Sequence, residues 1–127
     1  MIRIGVMGAG HLGKIHIRLL KELNHVYDFI GFYDPSSKVR EQVSAQFECK
    51  SFENPDDLIE QCDAIDIVTP TLSHYESASR GMKNFKHIFI EKPVTTTTEE
   101  ARMLINLMNE SKVKVQVGHV ERFNPAF

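Results

Sequence analysis

One hexapeptide narrows the fold of this chain more than any other feature. Gly8-Ala9-Gly10-His11-Leu12-Gly13 follows an apolar run, Ile2 to Met7, and opens a stretch of helical periodicity. Glycines at this spacing answer three steric needs: the first allows a tight turn, the second lets backbone approach a pyrophosphate, and the third lets helix and strand pack closely. The first N–H groups of the helix would then face the anion. By itself the string also fits an ordinary glycine turn, so its meaning depends on the residues downstream.

Short β-branched runs alternate with helical periodicity along the rest of the chain, the pattern of βαβ units and a mostly parallel sheet. Strands are predicted at Ile2 to Met7, Val26 to Tyr33, Lys50 to Phe52, Ala64 to Val68, His87 to Ile90 and Val113 to Val117. With right-handed crossovers they give an α/β fold of the Rossmann type, a doubly wound parallel sheet in order 3-2-1-4-5-6 with helices on both faces. In the first helix Leu12, Ile15, Leu19, Leu20 and Leu23 mark the expected buried face. Asn54-Pro55, Ser73-x-x-Glu76 and Thr97-x-x-Glu100 mark helix starts. The methionines and Phe29, Phe32, Phe47 and Phe89 read as core.

Asp34 gives the glycine loop its partner. It ends the second predicted strand about twenty residues past the loop, where a carboxylate accepts hydrogen bonds from adenosine ribose hydroxyls. The competing reading is a helix cap, since Asp34-Pro35 precedes a helix carrying Val39, Val43 and Phe47. A 2'-phosphate beside this carboxylate would be repelled by about 1 to 4 kcal/mol for unit charges 4 Å apart. The expected cofactor is therefore NAD rather than NADP, with Ser36, Ser37 and Lys38 as the residues able to reverse the preference.

Composition limits the alternatives. With 15 Lys and Arg against 17 Asp and Glu the net charge is −2, no field for collecting phosphate backbones, so nucleic acid is not expected as a partner. Cys49 and Cys62 lack zinc or disulfide-framework spacing, which fits a cytoplasmic protein without a metal site. No apolar stretch is long enough for a membrane span. At 127 residues the chain reads as one domain.

Thr69-Pro70-Thr71-Leu72-Ser73-His74 and Glu91-Lys92-Pro93, taken with the opening loop, resemble the N-terminal domain of the glucose-fructose oxidoreductase, inositol dehydrogenase and MocA family. The likeness covers essentially the whole chain, and Glu-Lys-Pro is its most specific part. It implies a cofactor bordered by Thr69, Pro70, Thr71 and His74, with Glu91 and Lys92 beside the nicotinamide and Lys92 at the reacting hydroxyl. It also implies residues 1–118 as a dinucleotide-binding domain, with 119–127 starting a crossover to a substrate domain that this chain lacks. The end at Gly118-His119-Val120-Glu121-Arg122-Phe123-Asn124-Pro125 is similar to members acting on nucleotide-linked amino sugars. One departure is Phe85, which stands where the family usually has a glycine before the fifth strand. Asn84 is expected to take the left-handed turn instead.

Several residues have two readings. An ammonium beside an alcohol can lower its pKa or relay its proton, whereas an isolated Lys92 would be a solvated strand-end lysine paired with Glu91. His74 reads as a cofactor contact or a side chain of the helix turn. His119 and Arg122 read as substrate contacts or a hinge. His16, beside Ile15 and Leu19, reads as a helix-packing residue.

The expected function is the cofactor-binding domain of an NAD-dependent oxidoreductase acting on a hydroxyl of a sugar, sugar phosphate or nucleotide sugar. The full-length enzyme is expected to be a homo-oligomer, and this fragment alone inactive. The alternative is a regulatory NAD-sensing module without catalysis, which would share the glycine loop and Asp34 but needs no Glu-Lys-Pro.

Overall fold

Strand β1 (Ile2–Met7) runs into the glycine loop and helix α1 (His11–Glu22), and the chain returns along β2 (Tyr27–Tyr33). It continues through α2 (Ser37–Phe47), β3 (Ser51–Phe52), α3 (Pro55–Gln61) and β4 (Ala64–Ile67). A 3₁₀ turn at Thr71–Ser73 leads into α4 (His74–Lys83), followed by β5 (His87–Glu91), α5 (Thr98–Ser111), β6 (Val115–Gly118) and a closing 3₁₀ turn, Val120–Phe123. These elements come from a computed structural model that describes residues 1–126. Phe127, the last of the terminal aromatic residues, lies outside the described residues.

All strand pairs are parallel, and the order is 3-2-1-4-5-6 as expected. Alternate residues face opposite ways along each strand, so the sheet feeds two cores. Ile4, Val6 and Phe32 pack with Ile17 of α1 and Val43 of α2 on one face. Met7, Ile65, Ile67 and Ile90 pack with Leu58 of α3, Met82 of α4 and Leu104 of α5 on the other. Met1 and Met103 are exposed and belong to neither core. Among the described residues no helix is long and apolar enough to cross a membrane.

Four local expectations are corrected. In α1 the buried residues are Gly13, Ile17 and Leu20, while Leu12, Leu19 and Leu23 stay exposed. Contact between Gly13 and the turn at Gly8 sets the helix rotation, and positions four and seven later follow it inward. Ser36, not Asp34, caps α2, its hydroxyl accepting from Val39 N–H at 3.2 Å. Ser73 makes no side-chain cap because the 3₁₀ turn leaves it helical (φ −96°, ψ −4°), whereas a capping residue needs extended backbone. At the end of α4 the left-handed residue is Phe85 (φ 60°), not Asn84. Phe85 N–H donates to Met82 O and Lys86 N–H to Gly81 O, the paired bonds of a Schellman turn, which fix the left-handed position one residue past the cap.

Candidate functional site

The glycine loop is shaped by what its residues lack. Gly8 has φ +97°, and a Cβ there would lie 2.8 Å from Thr69 N and from Val68 O. A Cβ on Gly13 would lie 2.1 Å from Gly8 O. Gly10 is the opposite case, since a Cβ there would meet nothing within 4 Å. Gly8 and Gly13 are glycines because protein is too close; Gly10 keeps open the space in front of the helix. Lys14 N–H donates to Gly10 O at 3.0 Å, and the N–H groups of His11, Leu12 and Gly13 have no partner within the helix, as at any helix start. An anion in the open space meets these donors and the positive end of α1.

From this loop a groove of about 830 Å³ runs across the ends of the central strands. Gly8, Gly10, His11, Leu12, Asp34, Thr69 and Pro70 all line it. Asp34 Oδ2 accepts from Ala9 N–H at 3.0 Å and Oδ1 from Ser36 N–H at 2.9 Å, so the carboxylate ties the glycine loop to the turn after β2. Each oxygen retains a lone pair for a further donor. Open space over Gly10, bare amides and an acid at one rim fit a dinucleotide: pyrophosphate at the helix start, ribose hydroxyls at Asp34.

The segments after β4 and β5 are joined by His74. The ring is buried, with Nδ1 2.8 Å from Pro93 O and Nε2 2.9 Å from Thr69 O. Both neighbours are acceptors, so a ring with one N–H donates to one carbonyl while packing against the other, and His74 lies as a spacer between the two segments. Thr71 is half-buried in the intervening turn. Lys92 is exposed at the end of β5, and its peptide bond to Pro93 is cis.

Glu91 is buried and belongs to a cluster that no sequence pattern announced. His16 Nδ1 lies 2.7 Å from Asp66 Oδ2, and Nε2 lies 3.1 Å from Glu91 Oε1. Glu91 Oε2 accepts from Lys92 N–H at 3.3 Å. A Cβ at Gly118 would come within 3.2 Å of Glu91 Oε1, so β6 leaves just enough room for this carboxylate. Burial works against a charged His16 ring, but hydrogen bonding and charge from Asp66, then Glu91, outweigh it and hold the ring's pKa above its ordinary value. Burial pushes the Asp66 carboxyl up, against the bond and charge from His16, and Glu91 adds to the rise. His16 does pack against the sheet, as expected, but as the centre of this cluster. The available signal was Asp66, an acid inside the apolar run Ile65 to Val68.

His119 and Arg122 are not brought to the groove. They are exposed beyond β6 and line a separate cleft of about 550 Å³ with Val115, Gln116, Val117 and Phe123.

Fold and groove together define a dinucleotide-binding domain of the doubly wound class. Residues 2–119 match the oxidoreductase family with an NAD-binding Rossmann fold known as Gfo/Idh/MocA, and the chain belongs to that family. It is similar to UDP-N-acetylglucosamine 3-dehydrogenase of Acidithiobacillus ferrooxidans, 36% identical over 125 residues, spanning 98% of this chain but 39% of that enzyme. The solved structure of that enzyme superposes with a TM-score of 0.89, covering 98% of this chain and 40% of the other. The scyllo-inositol 2-dehydrogenase (NAD(+)) of Bacillus subtilis is 33% identical, with 99% of this chain matched to 38% of the enzyme. A scyllo-inositol dehydrogenase from Lactobacillus casei, solved with NAD(H) and scyllo-inositol, is 25% identical with a TM-score of 0.89, covering 99% of this chain and 38% of the other. The chain thus spans well under half the length of these relatives. All three are dehydrogenases, and none favours the regulatory alternative.

Proposed function

We propose that this chain is the cofactor-holding part of an NAD-dependent dehydrogenase that oxidises a hydroxyl group of a sugar, sugar phosphate or nucleotide sugar. The observation that carries the reading is the groove itself, open over Gly10 and rimmed by Asp34. A bound nicotinamide would supply the hydride acceptor. The chain's own residues do the rest: first-turn amides of α1 hold the pyrophosphate, Asp34 accepts from the ribose hydroxyls, and Thr69 and Pro70 wall the opposite side, with Thr71 in the turn that follows. His74 and Glu91 hold that wall and the lysine segment in place. Lys92, exposed at the end of β5, stabilises the substrate oxygen as its proton leaves. Residues 1–118 form the dinucleotide unit. Residues 119–127 lead toward a domain that holds the sugar, with His119 and Arg122 offered to substrate from the crossover. The same reading makes the full-length enzyme a cytoplasmic homo-oligomer; the free thiols of Cys49 and Cys62 are compatible with a reducing compartment.

Calorimetry tests the cofactor reading directly. NADH is expected to bind the chain more tightly than NADPH, and Asp34→Ala to shrink that ratio. Equal or tighter binding of NADPH by the wild-type chain would overturn the assignment. In an enzyme that includes the substrate domain, Lys92→Ala is expected to lower kcat by about 10² to 10⁴ with little change in NAD affinity. A near-normal kcat would move proton handling away from Lys92.

A further inference from the structure

His16 stands one turn past Gly13 on α1, yet its ring reaches strands from the other half of the sheet. Side-chain exposures of His16, Asp66 and Glu91 are 15%, 6% and 12%, and Phe89 lies tilted against the ring at 6.2 Å between centroids. Asp66 Oδ1 is buried without a hydrogen-bond partner among the described residues. Ion clusters of this kind are costly to bury and add little stability compared with apolar packing. Burying such a cluster directly behind Lys92 calls for another account.

We propose that His16 is a positioning residue for Lys92: by bridging Asp66 and Glu91 it locks the strand end that presents the lysine to the helix that opens on the glycine loop. This inference rests on the reading of Lys92 as the residue that meets the substrate hydroxyl. Both ring nitrogens face carboxylate oxygens, so both contacts are hydrogen bonds while the ring carries two protons. Removing one sets a nitrogen lone pair against an oxygen lone pair. Of the two contacts the one to Glu91 is longer and its carboxylate nearer to solvent, so it gives first. The bond from Lys92 N–H to the other Glu91 oxygen is disturbed with it. The charged groups facing the ring are Asp66 from β4 and Glu91 from β5. Because His16 rides on α1, a ligand seated on the first turn of that helix acts on the same ring, and the effect is reciprocal.

The test follows the whole 127-residue chain by ¹H–¹⁵N spectra through a pH titration, with and without NADH. The Lys92 amide and the His16 ring are expected to titrate with one midpoint, above the ordinary 6.5. NADH is expected to move that midpoint, and NADH affinity to change about fivefold across it. His16→Gln, which keeps hydrogen-bonding groups but has no titrating ring, should flatten the Lys92 curve. A wild-type Lys92 amide that ignores the His16 titration would overturn the proposal whether or not the variant folds. A midpoint that NADH leaves unmoved, in a chain that binds NADH, would overturn the link to the glycine loop. Failure of the folded chain to bind NADH would instead defeat the cofactor reading, and the Lys92 curve would still decide the role of His16.

Discussion

At the β1 end of the groove, shape comes from side chains that are missing, with Gly8 and Gly13 pressed against backbone and Gly10 leaving space. At the end of β5, beyond the residues that line the groove, the structure rests instead on side chains that are buried and ionisable, with His16 set between Asp66 and Glu91 behind Lys92. The first construction tolerates no added atom at Gly8 or Gly13 and contains no ionisable group. The second accepts changes of similar shape but depends on where a proton sits. A cofactor's phosphates need only fixed amides, whereas Lys92, if it handles a proton as proposed, needs a fixed charge environment.

The sharpest break of this contrast is Gly13→Ala. Its Cβ has only backbone to meet, so the loop must move, with an expected loss of about 4 kcal/mol, near the upper end for single substitutions, and no measurable NADH binding. Urea unfolding and calorimetry read both, and a variant that keeps either would show that the close approach to Gly8 is not obligatory. His16→Ala comes next, leaving two buried carboxylates without their cation, at an expected cost of about 3 kcal/mol. Unlike the glycine variant, it should recover part of its stability at low pH, where carboxyls are protonated.

Phe85→Gly sharpens the comparison from outside the groove, since this left-handed position was built without glycine. Removing the Cβ there should stabilise the fold by about 1 kcal/mol, read as a rise in Tm. The smallest effect is pH itself. A ring whose folded pKa is raised contributes stability that is complete below its unfolded value near 6.5 and is lost as pH climbs through the folded value. Asp66, also raised, has the same sign at lower pH, its contribution fading as pH rises above the ordinary carboxyl value of 3.8. The wild-type Tm should therefore fall as pH rises above 6.5, and His16→Ala should lack that component. An identical slope in both proteins would remove His16 as its source.

Strand order, the glycine loop and Asp34 were legible because each is a local pattern in a fixed order along the chain. The cluster was not, because its members stand 50 and 75 residues apart and meet only through the sheet. The rotation of α1 was misread for a related reason. Leucines and isoleucines are spread around much of that helix, and a glycine contact, invisible to hydrophobic counting, selects which of them turn inward. Phe85 escaped because asparagine is the better left-handed residue, yet the turn's hydrogen bonds count from the helix end and are blind to which residue arrives there.

One consequence of the His74 spacer is mechanical. The buried ring of His74 sits in contact with the carbonyls of both Thr69 and Pro93, so the two segments are not free to swing as separate leaves of a door. Widening the mouth at Thr69 drags Pro93, and Lys92 beside it, along the same path. The two segments should breathe as one panel, with their amides sharing a single exchange rate, which would make any widening at Thr69 and any shift of Lys92 one motion.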